Sequence, residues 1–310
     1  MSWKDDALEL QAKGLNHIQI CDKLFDEIDA PNRDAAIKRI RRIIENTDHK
    51  NIDIIENLEP AEYAEKWHGN QTIKFALIGD THINSKYTQL TYLHTFYDIC
   101  EKENIPTVYH TGDIDDGEQM HPGHQYECYN QGSDEHVNEI VEVYPSRPNI
   151  KTYFITGNHD ASIYKKCGTD IGRMISNYRS DMIYLGRDCA IIHLTRNCPL
   201  ETRNPWDGTT SALSYKIQKL INSINDEDKP DILAVGHYHK TEQLFYSGIH
   251  AFQTGTFCAQ TPFMKGKSIS ASMGGWICEA DVDASGKIVS LKTQLIPFYK
   301  PIQNDYRSFR

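Results

Sequence analysis

Ile73-Lys74-Phe75-Ala76-Leu77-Ile78-Gly79-Asp80-Thr81-His82 is an apolar run that stops at a glycine and passes directly to a carboxylate and an imidazole. The arrangement recurs. Thr107 to His110 runs into Thr111-Gly112-Asp113, Lys151 to Ile155 into Thr156-Gly157-Asn158, and Ile232 to Val235 into Gly236-His237. Short apolar runs bounded by glycine read as buried strands. Glycine at each end lets the chain turn sharply and lets backbone approach an ion, so side chains from several strand ends converge at one rim of the sheet. From Thr72 onward such strands alternate with polar helical stretches, the pattern of a layered α/β sandwich.

Working outward, the four segments are Gly79-Asp80-Thr81-His82, Gly112-Asp113-Ile114-Asp115-Asp116-Gly117, Gly157-Asn158-His159-Asp160 and Gly236-His237-Tyr238-His239. Carboxylate oxygen, imidazole nitrogen and amide oxygen without thiolate suit hard or borderline divalent ions: manganese first, with iron, zinc, nickel or magnesium as alternatives. A carboxylate can bridge two ions, and Asp113 is the best bridging candidate. Any one segment is weak; the four in this order are specific. Together they resemble the calcineurin-like metallophosphoesterases, the superfamily that includes purple acid phosphatases, protein serine/threonine phosphatases and SbcD-type repair nucleases. The resemblance implies a four-layer α/β/β/α sandwich and two divalent metal ions. Asp80, His82 and His239 would complete the first metal site, with Asn158 and His237 serving the second. A hydroxide bridging the metals would attack phosphorus, His159 would be the general acid and Asp116 the carboxylate that orients it.

One ligand departs from the pattern. The family takes a histidine from between Asn158 and His237, where His193 is the only histidine beyond Asp160. The stretch Asn204-Pro205-Trp206 to Ala212-Leu213-Ser214-Tyr215 resembles a phage and archaeal branch of the family, and that register puts Asn204 in the histidine's place. Residues 191–195 and 200–203 would then form a hairpin. Both Asn204 and His193 remain candidates for the second site. Asp115 and Asp160 read as solvated loop acids or caps, and His110, His121, His124, Tyr126 and His136 as surface residues. Tyr238 reads as space-filling, and Lys165, Lys166 and Arg173 as a solvated helical face.

Residues 1–47 read as a separate all-helical module. Its third helix, from Arg33 towards Glu45, has an apolar stripe of Ile37, Ile40, Ile43 and Ile44 and a basic face of Arg33, Lys38, Arg39, Arg41 and Arg42, with Asn32 as cap. Its order resembles a helix-turn-helix, which implies DNA contact. Residues 48–70 read as a linker with one short helix from 60 to 67, and 71–310 as the catalytic domain. Eight cysteines spread singly, a charged start at Met1-Ser2-Trp3-Lys4-Asp5-Asp6 and no long apolar window point to the cytoplasm and away from a membrane. The formal net charge of -10 argues against a broadly basic surface. Three functions follow in order: a phosphodiesterase or nuclease acting on nucleic acid; a phosphomonoesterase or small-nucleotide phosphodiesterase; and a DNA-binding protein with a degraded metal site, which only Asn204 supports.

Overall fold

The computed structural model describes residues 3–13, 15–41, 43, 61–208, 210 and 212–309. The chain divides into two compact units, Met1–Glu59 and Pro60–Arg310. In the first, helix α1 (Trp3–Ala12), α2 (His17–Leu24) and α3 (33–41) bury Ala7, Ile20, Cys21, Leu24, Ile28, Ala36 and Ile40 together. Asn16 opens α2 by accepting from the backbone N–H of Ile18 and Gln19, and Gln19 returns a bond to Asn16 N–H. Asn32 accepts from Ala35 N–H at 2.9 Å, the expected cap of α3. Lys38, Arg39 and Arg41 are exposed, and Arg33 pairs with Asp22. Arg42, Ile44 and Glu45, like most of the expected linker, lie outside the described residues.

The expected short helix over 60–67 is instead a strand, β1 (Ala61–Ala64), paired in parallel with β6 (Cys189–Thr195). A helix this short has little stability of its own, and the free edge of β6 offers backbone partners. Tyr63 also gains a place against Tyr153, their hydroxyls 2.9 Å apart.

The second unit holds two six-stranded sheets. One has the order β12-β11-β2-β3-β4-β5, with β2 (Thr72–Ile78), β3 (Thr107–His110), β4 (Lys151–Thr156) and β5 (Met182–Arg187) parallel. Strand β11 (Met273–Val282) runs antiparallel to β2 and pairs with β12 (Ile288–Phe298). The other has the order β1-β6-β7-β8-β10-β9, where β7 (Cys198–Arg203), β8 (Ile232–Val235) and β10 (Ile249–Thr254) are parallel and β9 (Thr241–Tyr246) is antiparallel to β10.

Alternation along the strands sets the layers. Phe75 and Leu77 of β2 pack between the sheets with Tyr109, Ile155, Leu200, Phe252 and Trp276. Ala76 and Ile78 face the other way, onto α4 (Leu90–Lys102), α5 (Ser133–Val143) and α7 (Ile171–Tyr178) through Leu93, Phe96, Ile140 and Ile175. On the second sheet, Ile232 and Ala234 turn inward while Leu233 and Val235 meet Ile217 and Ile221 of α8 (Tyr215–Ser223). The result is the four-layer α/β/β/α sandwich. Each fully buried Leu, Ile or Phe contributes about 1.5–3 kcal/mol to it. No helix among the described residues is long and apolar enough to cross a membrane.

Candidate metal centre

Every predicted ligand except His193 stands at or just beyond a strand's carboxyl end. Asp80 and His82 follow β2, Asp113 follows β3, Asn158 begins α6 (Asn158–Cys167) after β4, Asn204 follows β7, and His237 and His239 follow β8. The centre therefore draws on both sheets, a correction to the single rim the sequence suggests. Hydrogen bonds tie the sheets at this point: His237 N–H donates to Asp80 Oδ1 at 2.9 Å, Asn204 Nδ2 donates to the carbonyl of Thr111 at 2.9 Å, and the hydroxyls of Thr111 and Thr254 lie 2.8 Å apart.

The sharp turns also fall elsewhere than expected. Asp80, His82, Asp113, His237 and His239 themselves have positive φ, between 44° and 72°. Such backbone costs on the order of 1–3 kcal/mol per residue and persists where its surroundings over-determine it. Of the glycines before the ligands, Gly112 does turn left-handed (φ 93°), while others serve close approach: a Cβ on Gly157 would lie 2.5 Å from both Asn204 Oδ1 and Asp113 Oδ1.

Donor atoms of Asp80, His82 and His239 lie within 4.8 Å of one another, as do those of His82, Asp113 and His159. His237 Nδ1 stands 2.8 Å from Asn158 Oδ1. Asp80 Oδ2, Asp113 Oδ2, Asn204 Oδ1 and His239 Nδ1 are buried without a hydrogen-bond partner. Leaving each so costs about 1–3 kcal/mol, a penalty that bound cations remove. Burial, and then the charge of Asp113, raise the Asp80 carboxyl well above the usual range, which a neighbouring cation reverses. The donor set thus fits divalent ions of the hard and borderline kind.

Asp116 is buried beside the cluster. Its Oδ1 accepts from His82 Nδ1 at 3.0 Å, which leaves His82 Nε2 for a metal. Burial opposes charge on His82, but Asp116, with Asp113 and Asp80, pushes it up to about 9. His124 Nε2 and Cys128 Sγ lie 3.3 and 3.6 Å from Asp116 Oδ2. Burial works against the Asp116 carboxylate, yet its bonds from His124 and His82 hold it well below the usual range.

The orientation of His159 differs from the expectation. Its Nδ1 donates to the main-chain carbonyl of Asp116 at 2.6 Å, while the carboxylate Oδ1 is 3.7 Å away and serves His82. Burial and the charge of His82 depress the His159 pKa; a phosphate anion in the cavity works the other way.

Asn204 is 1 % exposed and meets Thr111 and Gly157 at the middle of the cluster. His193 pairs with Pro199 at the far end of the β6–β7 hairpin, five residues before Asn204 and so about 16 Å along the strand. It faces Glu62, 3.7 Å away.

Several neighbours differ from their sequence reading. His110, His124 and His136 are buried, not superficial; only Tyr126 of that group is highly exposed. Burial, then the charge of His82, pushes His110 down to about 3, and it bridges Thr81 and Gly112. His136 Nδ1 meets Asp115 Oδ2 at 2.7 Å. Asp160 is a cap, as one reading held, but a buried one that accepts from Gly157 and Asp115 N–H. Tyr238 does more than fill space: its hydroxyl donates to Asp207, whose carbonyl faces His237 Nε2 at 2.7 Å. A signal for His136 existed, since it shares the i, i+4, i+7 stripe of α5 with Ile140 and Val143.

A cavity of about 330 Å³ opens from the cluster past His159, His124 and His121 to Met120, Phe263, Met264 and Ile269. A second groove adjoins it at Asn158 and Met120, lined by Lys165, Lys166 and Trp206. Lys165 lies 4.2 Å over the Trp206 ring, and Lys166 pairs with Glu118.

The family model for calcineurin-like phosphoesterases matches residues 73–250. No curated protein matches the chain. Among solved structures it is similar to an archaeal phosphodiesterase at 13% identity and a TM-score of 0.40, covering 72% of this chain and 100% of that one. It is similar to zinc-complexed Vps29 from Entamoeba histolytica at 14% identity and 0.36, covering 73% and 100%. A predicted phosphoesterase from Streptococcus pneumoniae is similar at 10% and 0.33, covering 73% and 98%.

Proposed function

The chain belongs to the calcineurin-like phosphoesterase family and is a metal-dependent phosphoesterase; from that premise we propose that it hydrolyses phosphodiesters at a two-cation centre. Asp80, His82 and His239 would hold one cation, Asn158, His237 and Asn204 the other, with Asp113 between them. The observation that carries this is the meeting of four partnerless buried donors at the strand tips. When bound, the cations, manganese first among them, supply Lewis-acid stabilisation of phosphoryl oxygens and bring a water's pKa towards neutrality.

The protein's own groups do the rest. Asp116 fixes the His82 ring, and its carbonyl fixes His159, which lines the cavity and would give a proton to the departing oxygen. Beyond the cluster the wall is built of Met120, Phe263, Met264, Ile269 and the carboxylate of Glu127. Such surroundings favour a monoanionic diester over a dianionic monoester.

A nucleic acid is the preferred source of that diester. The adjoining groove brings Lys165, which lies over the Trp206 ring, and Lys166, which is paired with Glu118, beside the centre, and the exposed Lys38, Arg39 and Arg41 support DNA contact by the helix-turn-helix-like N-terminal module. The Asn204 register supports kinship with the phage and archaeal branch, and the singly spread cysteines support a cytoplasmic setting. Small-nucleotide diesters are the second reading, favoured by the modest cavity.

Manganese-supplied protein tested on bis-(p-nitrophenyl) phosphate, p-nitrophenyl phosphate, single-stranded and duplex DNA decides between them. Turnover of the diester is expected, and no turnover with any divalent metal would end the proposal. His159→Ala should keep its metals and slow diester hydrolysis by about 10²- to 10⁴-fold.

A further inference from the structure

Beyond β7 the chain continues as Asn204-Pro205-Trp206-Asp207, and the side chain of each non-proline residue is pinned by a hydrogen bond. Asp188, whose backbone is left-handed at φ 65°, accepts Asn204 N–H on its carbonyl at 2.8 Å and the Trp206 indole N–H on its carboxylate at 2.7 Å. Pro205 stands between those two anchors with its own φ locked. Asp207 is fixed next: Tyr238 donates its hydroxyl to Oδ1 at 2.5 Å, and Lys216 of α8 pairs with Oδ2. Further on, the carbonyl of Thr210 takes Lys240 Nζ at 2.5 Å.

The run after β8 therefore alternates in what it serves. His237 and His239 turn to the metal centre, while Tyr238 and Lys240 hold the segment after β7. Tyr238 is 4% exposed and packs with Ile217, Ile221, Leu233 and Val235, so its hydroxyl is a rigid anchor. It anchors the residue whose main-chain carbonyl lies 2.7 Å from His237 Nε2.

The other nitrogen of that ring, Nδ1, lies 2.8 Å from Asn158 Oδ1. His237 is thus flanked by two oxygen acceptors, and a metal-ligating imidazole is neutral, with a single N–H to give. With that proton on the carbonyl of Asp207, the ring presents a lone pair at Nδ1 to an oxygen lone pair of Asn158. Two acceptors so close repel each other until a cation lies between them.

We propose that Asp207 is a positioning residue for the second cation: held by Tyr238 and Lys216, its carbonyl keeps the His237 proton on Nε2 and so aims the Nδ1 lone pair, beside Asn158, at that ion. Asn204 and Asp207, three residues apart on one pinned segment, then serve the same ion, one by contact and one through His237. The inference rests on the two-cation reading, and the test keeps it apart from the activity.

The full chain is titrated with manganese, its zinc-loaded form is read by long-range proton–nitrogen NMR of labelled histidine rings, and bis-(p-nitrophenyl) phosphate hydrolysis is measured separately. Loss of one ring signal in His237→Gln assigns that residue. The parent should show His237 protonated at Nε2 and coordinating through Nδ1. Asp207→Ala and Tyr238→Phe should each weaken the second manganese ion about tenfold and leave the first as it was, with the His237 Nε2 proton exchanging faster. Asp207→Asn keeps an oxygen for the Tyr238 hydroxyl and should stay within about threefold of the parent. A parent that binds one cation only, a His237 proton on Nδ1, or parent affinity in both Asp207→Ala and Tyr238→Phe overturns the proposal. The expected metal and ring signals without hydrolysis of any phosphoester would uphold the role of Asp207 and sink the activity.

Discussion

Two clusters of the same residue types begin two residues apart, at Asp113 and Asp115, and they are finished in opposite ways. Around Asp113 one polar atom each of Asp80, Asp113, Asn204 and His239 is buried without a partner, and five of the predicted ligands hold left-handed backbone. Around Asp115 every donor is answered: its Oδ1 accepts from Asn84 at 2.7 Å, its Oδ2 from His136 at 2.7 Å and Gly117 N–H at 3.0 Å, and His136 Nε2 faces the carbonyl of Asn130. A buried polar group is tolerated when satisfied and costly when not. The closed cluster therefore serves the fold, and the open one is completed by something the chain does not supply.

The largest expected effect comes from the open cluster. Asp113→Ala should remove bound metal and lower diester turnover by about 10³-fold or more, a loss of roughly 4 kcal/mol in transition-state stabilisation. Its metal-free stability should nevertheless hold or rise, because one of two mutually repelling buried carboxylates is gone. Elemental analysis and urea unfolding of the metal-free protein check both halves; a metal-free variant weakened by several kcal/mol would erase the contrast.

Asp115→Ala tests the closed cluster from the other side. It removes the carboxylate from the buried His136 ring and one acceptor from the Asn84 amide, so unfolding should become easier by about 3–5 kcal/mol, while the folded fraction still takes up its metals. A urea midpoint equal to that of the parent would show that the pair is not structural.

The sequence exposes the open cluster far better than the closed one, and the cause is geometric. Strand, glycine and ligand are consecutive, so Asp80, Asp113, Asn158 and His237 declare themselves locally. Asp115 finds His136 only across the fold, where α5 packs on the sheet, and a histidine in a polar stretch reads as surface unless its place on the Val137, Ile140 and Val143 stripe is noticed. The four layers follow from strand alternation. That β7 and β8 bring Asn204, His237 and His239 in from the second sheet does not, because nothing in a single strand says which sheet it joins. Strand β1 was hidden for the same reason: its four residues become extended only because β6 has a free edge.

A smaller effect separates the clusters by pH. Burial disfavours charge on His136, but Asp115 and then Glu118 outweigh it and push the pKa up to about 9 from the ordinary 6.5. A raised folded-state pKa stabilises fully below about pH 6.5, and that contribution, at most about 3 kcal/mol, fades as pH climbs through 9. His136→Gln should therefore show a flatter fall in urea midpoint between pH 6.5 and 9.5 than the parent. Titrations in the metal centre are common to both proteins and cancel in the difference.

The smallest effect concerns the one ligand the sequence leaves open. An amide oxygen is a weaker donor than imidazole, so Asn204 should contribute modestly to the second cation. Asn204→Ala should lower affinity for one of the two proposed manganese ions about tenfold and leave the other, for which Asp80, His82 and His239 are the proposed ligands, nearly as it was. His193→Ala should change neither, since His193 sits on β6 against Glu62. If metal titration shows the reverse, the β6–β7 hairpin does not deliver Asn204 to the centre, and the partnerless Asn204 Oδ1 belongs with the satisfied cluster's structural role, not with the open one.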